Sequence, residues 1–308
     1  MLNLRYHVAS LAAVFVALAV GIVIGVAIAS GGKVADTTQG LREDELKALQ
    51  KSLEAARERS GLAEADRAAM EDLLEEVYPG VMANRLAGKN VVLLFLGPID
   101  GDLARAVEGM LADAGAETPT SVTALELPID TEAIDAILVA NPLLARYAGD
   151  AELGALGEAL GRELVQGADP LLWDALRSEI VLEETGSLSL PASGVVVVET
   201  WAPETTDDAA QAERDRQAAA LVAGLVQGMD RLGVPVVGVE ASTSETSAVG
   251  LYRDLGVSSV DDVDTLAGRV ALGLLLAGGP PGHYGTKDSA TSGVAPPLEP
   301  LVVATVAE

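Results

Sequence analysis

The sequence predicts an α/β protein in three parts: an N-terminal transmembrane helix, a coiled-coil helix, and a Rossmann-like domain built on a parallel sheet. Three observations carry that reading. Residues 8–29 form an apolar run without a charge. Apolar residues then recur at heptad spacing between Leu46 and Val77. From Lys89 onward, short wholly apolar runs alternate with stretches of helical spacing. The implied parts are a leader (1–7), the membrane helix (8–29), a linker (30–40), the coiled-coil helix (41–78), the α/β domain (79–280) and a Pro/Gly-rich tail (281–308).

The leading run has Ser10 as its one polar residue. At about 1.5 Å per residue it reaches roughly 33 Å, enough for a hydrocarbon core of about 30 Å. Ala9, Ala13, Ala17, Gly21, Gly25 and Ala29 fall on every fourth position and line one ridge. In lipid, small residues let helix backbones approach closely, so Ala13, Ala17, Gly21, Gly25 and Ala29 are the expected packing face. Ala27-Ile28-Ala29 before Ser30 also fits a cleavage site. A secretion signal's apolar region is usually about 7–15 residues, however, so length and ridge favour a retained anchor. Arg5 precedes the run while Lys33, Arg42 and Lys47 follow it, and charge alone leaves the orientation open.

With Leu46 at heptad position a, Leu53 and Leu74 are also a residues, and Leu49, Ala56, Ala63, Met70 and Val77 occupy d. Ser60 and Arg67 interrupt the seam at a. The pattern predicts a coiled coil, with a single amphipathic helix folded back on its own domain as the alternative. Pro79-Gly80 is the expected stop.

In the third part, "NVVLLFLG", "AILVA" (136–140), "GVVVVE", "GVPVVGVE" and "GVSSV" read as buried strands. Helical stretches lie between them, notably 207–233, where Leu221, Leu225, Met229 and Leu232 share a face. The segment "LEETGSLSLPASG" reads as an exposed connection, and residues 278–300 as loop. "LVVATV" near the end has the composition of a returning edge strand.

Composition excludes several functions. The net charge is −26, with 46 acidic and 20 basic residues, which repels nucleic acid and anionic lipid headgroups. With no cysteine, disulfides, thiolate metal sites and cysteine nucleophiles are all absent. His7 and His283 are too far apart in sequence to suggest a histidine metal cluster or a serine triad. Two loops invite chemistry. "GPIDGDLARA" opens a helix after the first strand, where a phosphate or nucleotide-sugar could sit, or where Asp100 or Asp102 simply caps the helix. Asp261, Asp262 and Asp264 follow the "GVSSV" strand. They could bind a divalent cation weakly, or Asp264 could cap the helix that begins near Leu266. Nothing here argues for an enzyme, and no cofactor is implied.

"LRYHVASLAAVFVALAVGIVIG", "RLAGKNVVLLFL" (85–96), "SSVDDVDTLAGRVAL" and "GHYG", in that order, resemble the actinobacterial MctB family, named for mycobacterial copper transport protein B. The resemblance implies a single-pass protein of the cell membrane with its bulk outside the cytoplasm. It also implies a link to copper efflux or homeostasis and an association with the outer envelope, where the family is described as channel-forming. Related members resemble coiled-coil partners in envelope division that associate with the SteA protein. The expected function is therefore copper transport or homeostasis, with self-association through the membrane helix and coiled coil. The alternative is a division scaffold that partners a SteA-like protein and transports nothing. Copper favours thioether, thiolate or imidazole ligands. The five methionines, Met1, Met70, Met82, Met110 and Met229, show no clustering in sequence.

Overall fold

The computed structural model describes residues 35–116, 121–167, 170–201, 208–244 and 246–298, together with Ala17, Leu18, Val20 and Ile22. Ala13, Gly21, Gly25 and Ala29 of the expected membrane-packing ridge lie outside the described residues, as does "LVVATV". Among the described residues, no helix is long and apolar enough to cross a membrane. The chain divides into two compact units, Met1–Glu71 and Asp72–Glu308.

Helix α1 (Ala35–Met82) belongs to both units by sequence. It starts inside the expected linker and runs past the expected stop. Pro79 lies within the helix, whose last turn closes by Ala83 N donating to Pro79 O at 2.9 Å. Burial of Tyr78 and Met82 holds that turn in place despite the proline.

The second unit is a seven-stranded sheet of order β3-β2-β1-β4-β5-β6-β7. Its strands are β1 (Val91–Leu96), β2 (Ser121–Leu125), β3 (Val181–Gly186), β4 (Gly194–Glu199), β5 (Val236–Val239), β6 (Ser258–Val260) and β7 (His283–Tyr284). All neighbours are parallel except β2 and β3. The alternation of side chains divides each strand between two cores. Val92, Leu94 and Leu96 of β1 join one core with Val195 and Val197 of β4. Helices α3 (Thr131–Ala140), α4 (Leu153–Gln166), α5 (Leu171–Ile180), α6 (Ala209–Asp230) and α7 (Val249–Asp254) supply the rest of it. Val91, Leu93 and Phe95 face the other core. There they meet α2 (Gly101–Asp113), α8 (Leu266–Leu276) and the end of α1. Helices thus cover both faces, which is why the central strands β1, β4 and β5 are apolar on both.

Three sequence readings are corrected, and one strand that had no reading is added. "AILVA" is the second half of α3, because Asp130 Oδ1 accepts from Glu132 N and Ala133 N and starts a helix there. Its Ile134 and Leu138 are buried four apart, while Val139 is 66 % exposed. The second strand is instead the more polar "SVTAL", whose buried Ser121 and Thr123 hydroxyls bond each other at 3.0 Å. Part of the expected connection is β3, an antiparallel edge that pairs with β2 and leaves most of its side chains out. The expected loop after α8 contributes β7, where His283 pairs with Ser259 and Tyr284 with Val260.

Candidate functional site

In an open parallel sheet, ligands meet the carboxyl ends of the strands, above all where the strand order reverses. Here the reversal falls between β1 and β4. That crevice is closed by backbone. Thr200 N and Trp201 N donate to Leu96 O at 3.1 and 2.7 Å, and Thr200 Oγ1 donates to Pro98 O at 2.7 Å. Gly97, at φ +118°, leaves no room for a side chain, since a Cβ would fall 2.8 Å from Trp201 N. The first turn of α2 is occupied as well: Asp100 Oδ1 accepts from Asp102 N at 2.9 Å and from Leu103 N at 3.1 Å. A phosphate would find its donors taken and two carboxylates in front of it. The 97–102 loop is a capped turn.

What the edge does present is carboxylates. Glu126 directly follows β2, Glu199 ends β4, Glu240 follows β5, and Asp261-Asp262 follow β6. Each is set there by a strand that stops at the layer boundary. Glu240 is almost fully buried and well satisfied. Its Oε1 accepts from Lys287 Nζ at 2.7 Å and from Ser247 Oγ at 3.0 Å, and Ala248 N donates to Oε2 at 2.5 Å. Lys287 Nζ also donates to Ala241 O at 2.6 Å. Glu199 lies near that charge, and burial first, then Glu240, pushes its carboxyl up to about 7. The buried Tyr252 hydroxyl ties the two strand ends together. It accepts from Glu199 N at 2.9 Å and lies 3.2 Å from the carbonyls of Val197 and Val239. Burial pushes that phenol up.

The three aspartates of the acidic loop face three different surroundings. Asp261, fully buried, accepts from Thr286 N at 2.9 Å and from Ser289 Oγ at 3.0 Å, and so ties down the segment after β7. Asp262 is also fully buried, yet neither carboxylate oxygen has a hydrogen-bond partner. Asp264 is exposed and accepts from Ser242 N at 2.6 Å and Ser242 Oγ at 2.7 Å. They do not converge on a common centre. Among the described residues, no group of three His, Cys, Asp or Glu is placed to hold a metal ion. The helix cap expected of Asp264 is made by Thr265, whose Oγ1 accepts from Gly268 N at 3.0 Å.

Among the other copper-type ligands, His283, Met82 and Met110 are committed to structure, whereas Met70 is exposed on α1. His283 Nδ1 bonds Ser259 Oγ at 3.0 Å, and burial followed by the Arg253 charge lowers its affinity for a proton. Met82 and Met110, distant in sequence, do meet: their sulfurs lie 3.1 and 3.5 Å from the point where a Cβ on Gly273 would sit. Both are fully buried, and the Met82 methyl fills the glycine notch, so the pair is core packing. Glu199, Glu240 and Lys287 escaped the sequence reading. The signal for the two glutamates was present, as an acid directly after "VVVV" and "VVGV"; Lys287 has no such mark.

A doubly wound α/β domain with an acidic strand edge, joined to a long helix, defines the class of protein. Within that class the chain belongs to the MctB family: the model for "Copper transport outer membrane protein, MctB" matches residues 1–295. The chain is similar to the copper transporter MctB of Mycobacterium tuberculosis and of Mycobacterium bovis. Identity to each is 28 % over 320 residues, covering 95 % of this chain and 98 % of the relative. The copper transporter MctB of Mycobacterium leprae is also 28 % identical, over 323 residues with the same coverage.

Proposed function

We propose that this protein serves copper transport or homeostasis in the cell envelope, as a single-pass membrane protein with its bulk outside the cytoplasm and no catalytic activity. The family match along residues 1–295 carries the proposal, because copper transporters align with nearly the whole chain. Residues 8–29 are the anchor. The run is uncharged and long enough to span, and its described members Leu18, Val20 and Ile22 are each more than half exposed, as side chains facing lipid would be. Helix α1 then acts as a coiled-coil stalk for self-association, with Leu53, Met70 and Val77 of its heptad seam exposed. Copper is cargo. The soft sulfurs of Met82 and Met110 are sealed in the core while carboxylates line the sheet edge, so cargo is handled through partners or held loosely by oxygen.

A strain lacking the protein should accumulate copper, and the intact chain should restore the normal content. A variant beginning at residue 41 should not restore it. Unchanged copper on deletion would remove the transport reading. The exposed seam of α1 also suits the alternative, a division scaffold for a SteA-like partner, which predicts defective cell separation at normal copper sensitivity.

A further inference from the structure

We propose that Asp262 carries a proton in the folded protein, and that losing it opens the 285–290 strap from the end of the sheet. The inference is independent of the copper reading. Asp262 is fully buried with both oxygens unpartnered, a position in which a negative charge is costly. Burial is the largest influence and raises its proton affinity; Thr286 and then Thr265 lower it, while the Asp261 and Asp264 charges raise it.

Two cations around the strap are already engaged. Lys287 on the strap is held by Glu240, and Arg253 of α7 donates through Nη2 to Ser289 O at 3.3 Å. Arg269 of α8 acts electrostatically on Tyr78, and its buried Nε has no hydrogen-bond partner.

The strap is the movable wall. On the other side stands α8, where a Cβ on Gly268 would lie 2.7 Å from Asp262 Oδ1 and 2.1 Å from Asp262 O. That wall is helix backbone. The strap instead hangs on Asp261, through Thr286 N and Ser289 Oγ, and on the Lys287–Glu240 pair. Gly285 permits its tight start: at φ +140° it sits so close to Asp261 that a Cβ would fall 1.8 Å from Oδ1. Once the strap lifts, water replaces Thr286 beside ionised Asp262, and the same movement frees the Lys287 ammonium to approach the new charge.

The test is amide hydrogen exchange of residues 285–290 in the full chain, from about pH 5 to about pH 8, corrected for intrinsic exchange. Wild-type strap amides should exchange at least about tenfold faster at the upper pH, and those of Asp262→Asn, which mimics the neutral acid, less than about twofold faster. A wild-type strap whose corrected exchange is constant would overturn the proposal. So would an Asp262→Asn strap that opens with pH as wild type does. If Asp262→Asn fails to fold, infrared spectra of the Glu199→Gln protein, which lacks the other carboxyl of raised proton affinity, decide the matter. A protonated-carboxyl band that persists above the ordinary aspartate range and disappears as the strap opens supports the proposal. Its absence there overturns it.

Discussion

Gly157 of α4 lies directly against the Leu221 carbonyl of α6, so that a Cβ on Gly157 would fall 2.1 Å from that oxygen. Gly161, Gly224 and Gly228 repeat the relation, meeting the carbonyls of Leu225, Gly154 and Glu158 at the same 2.1 Å. The two helices therefore touch backbone to backbone, and no side-chain rotation can relieve an added methyl. Gly157→Ala should cost about 3 kcal/mol or more, at the upper end of overpacking substitutions, because the helices must separate. Gly154→Ala, where the nearest atom is an ordinary 4.0 Å away, should instead be neutral or stabilising by up to about 1 kcal/mol. Urea midpoints of the two variants check the contrast.

Two hydrogen-bonded carboxylates at the sheet edge should differ in worth. Glu240 is buried, and Lys287→Ala would leave its charge without a cation; a loss of about 3 kcal/mol is expected. Asp264 is exposed, and Ser242→Ala removes a bond that water replaces, at about 1 kcal/mol or less. Equal losses in chemical denaturation would refute this ranking.

Glu199 makes stability fall as pH rises. Its carboxyl is raised from 4.5 to about 7 in the folded protein, so between those values the native state holds a proton that the unfolded chain has released. The contribution is fully present below the unfolded value, is lost progressively toward pH 7, and is flat above it. Glu199→Gln should remove on the order of 1–2 kcal/mol of that decline, allowing for solvent at this partly open site. Asp262 acts in the same direction, so some decline should persist in the variant. A variant profile that matches wild type would refute the assignment.

The sheet was legible wherever a strand was apolar on both faces, as in β1, β4 and β5. It was hidden where burial was achieved with polar residues. Ser121 and Thr123 satisfy each other's hydroxyls, so β2 carries no apolar signature. "AILVA" misleads for the opposite reason, because Asp130 upstream imposes a helix on residues of strand-like composition. The acidic loop 261–264 was visible as a feature, but its roles were not. Those depend on Thr286, Ser289 and Ser242, which only the fold brings near. The Met82–Met110 meeting at Gly273 is likewise invisible to spacing, since it joins three separate helices.

The stalk reading of α1 gives a last prediction. Leu53 is 52 % and Met70 66 % exposed, at heptad positions a and d. If these residues seat a second helix, replacing both with Asp buries charge in that seam and should abolish self-association of the detergent-solubilised chain, measured by light scattering. Unfolding of the sheet-bearing unit should be unchanged to within about 0.5 kcal/mol, as expected for exposed positions. Were α1 folded back on its own domain, the same double substitution would lower that unit's stability and leave the mass in solution as it was. The two outcomes move different observables. A wild-type chain that is already a monomer would eliminate the stalk dimer outright.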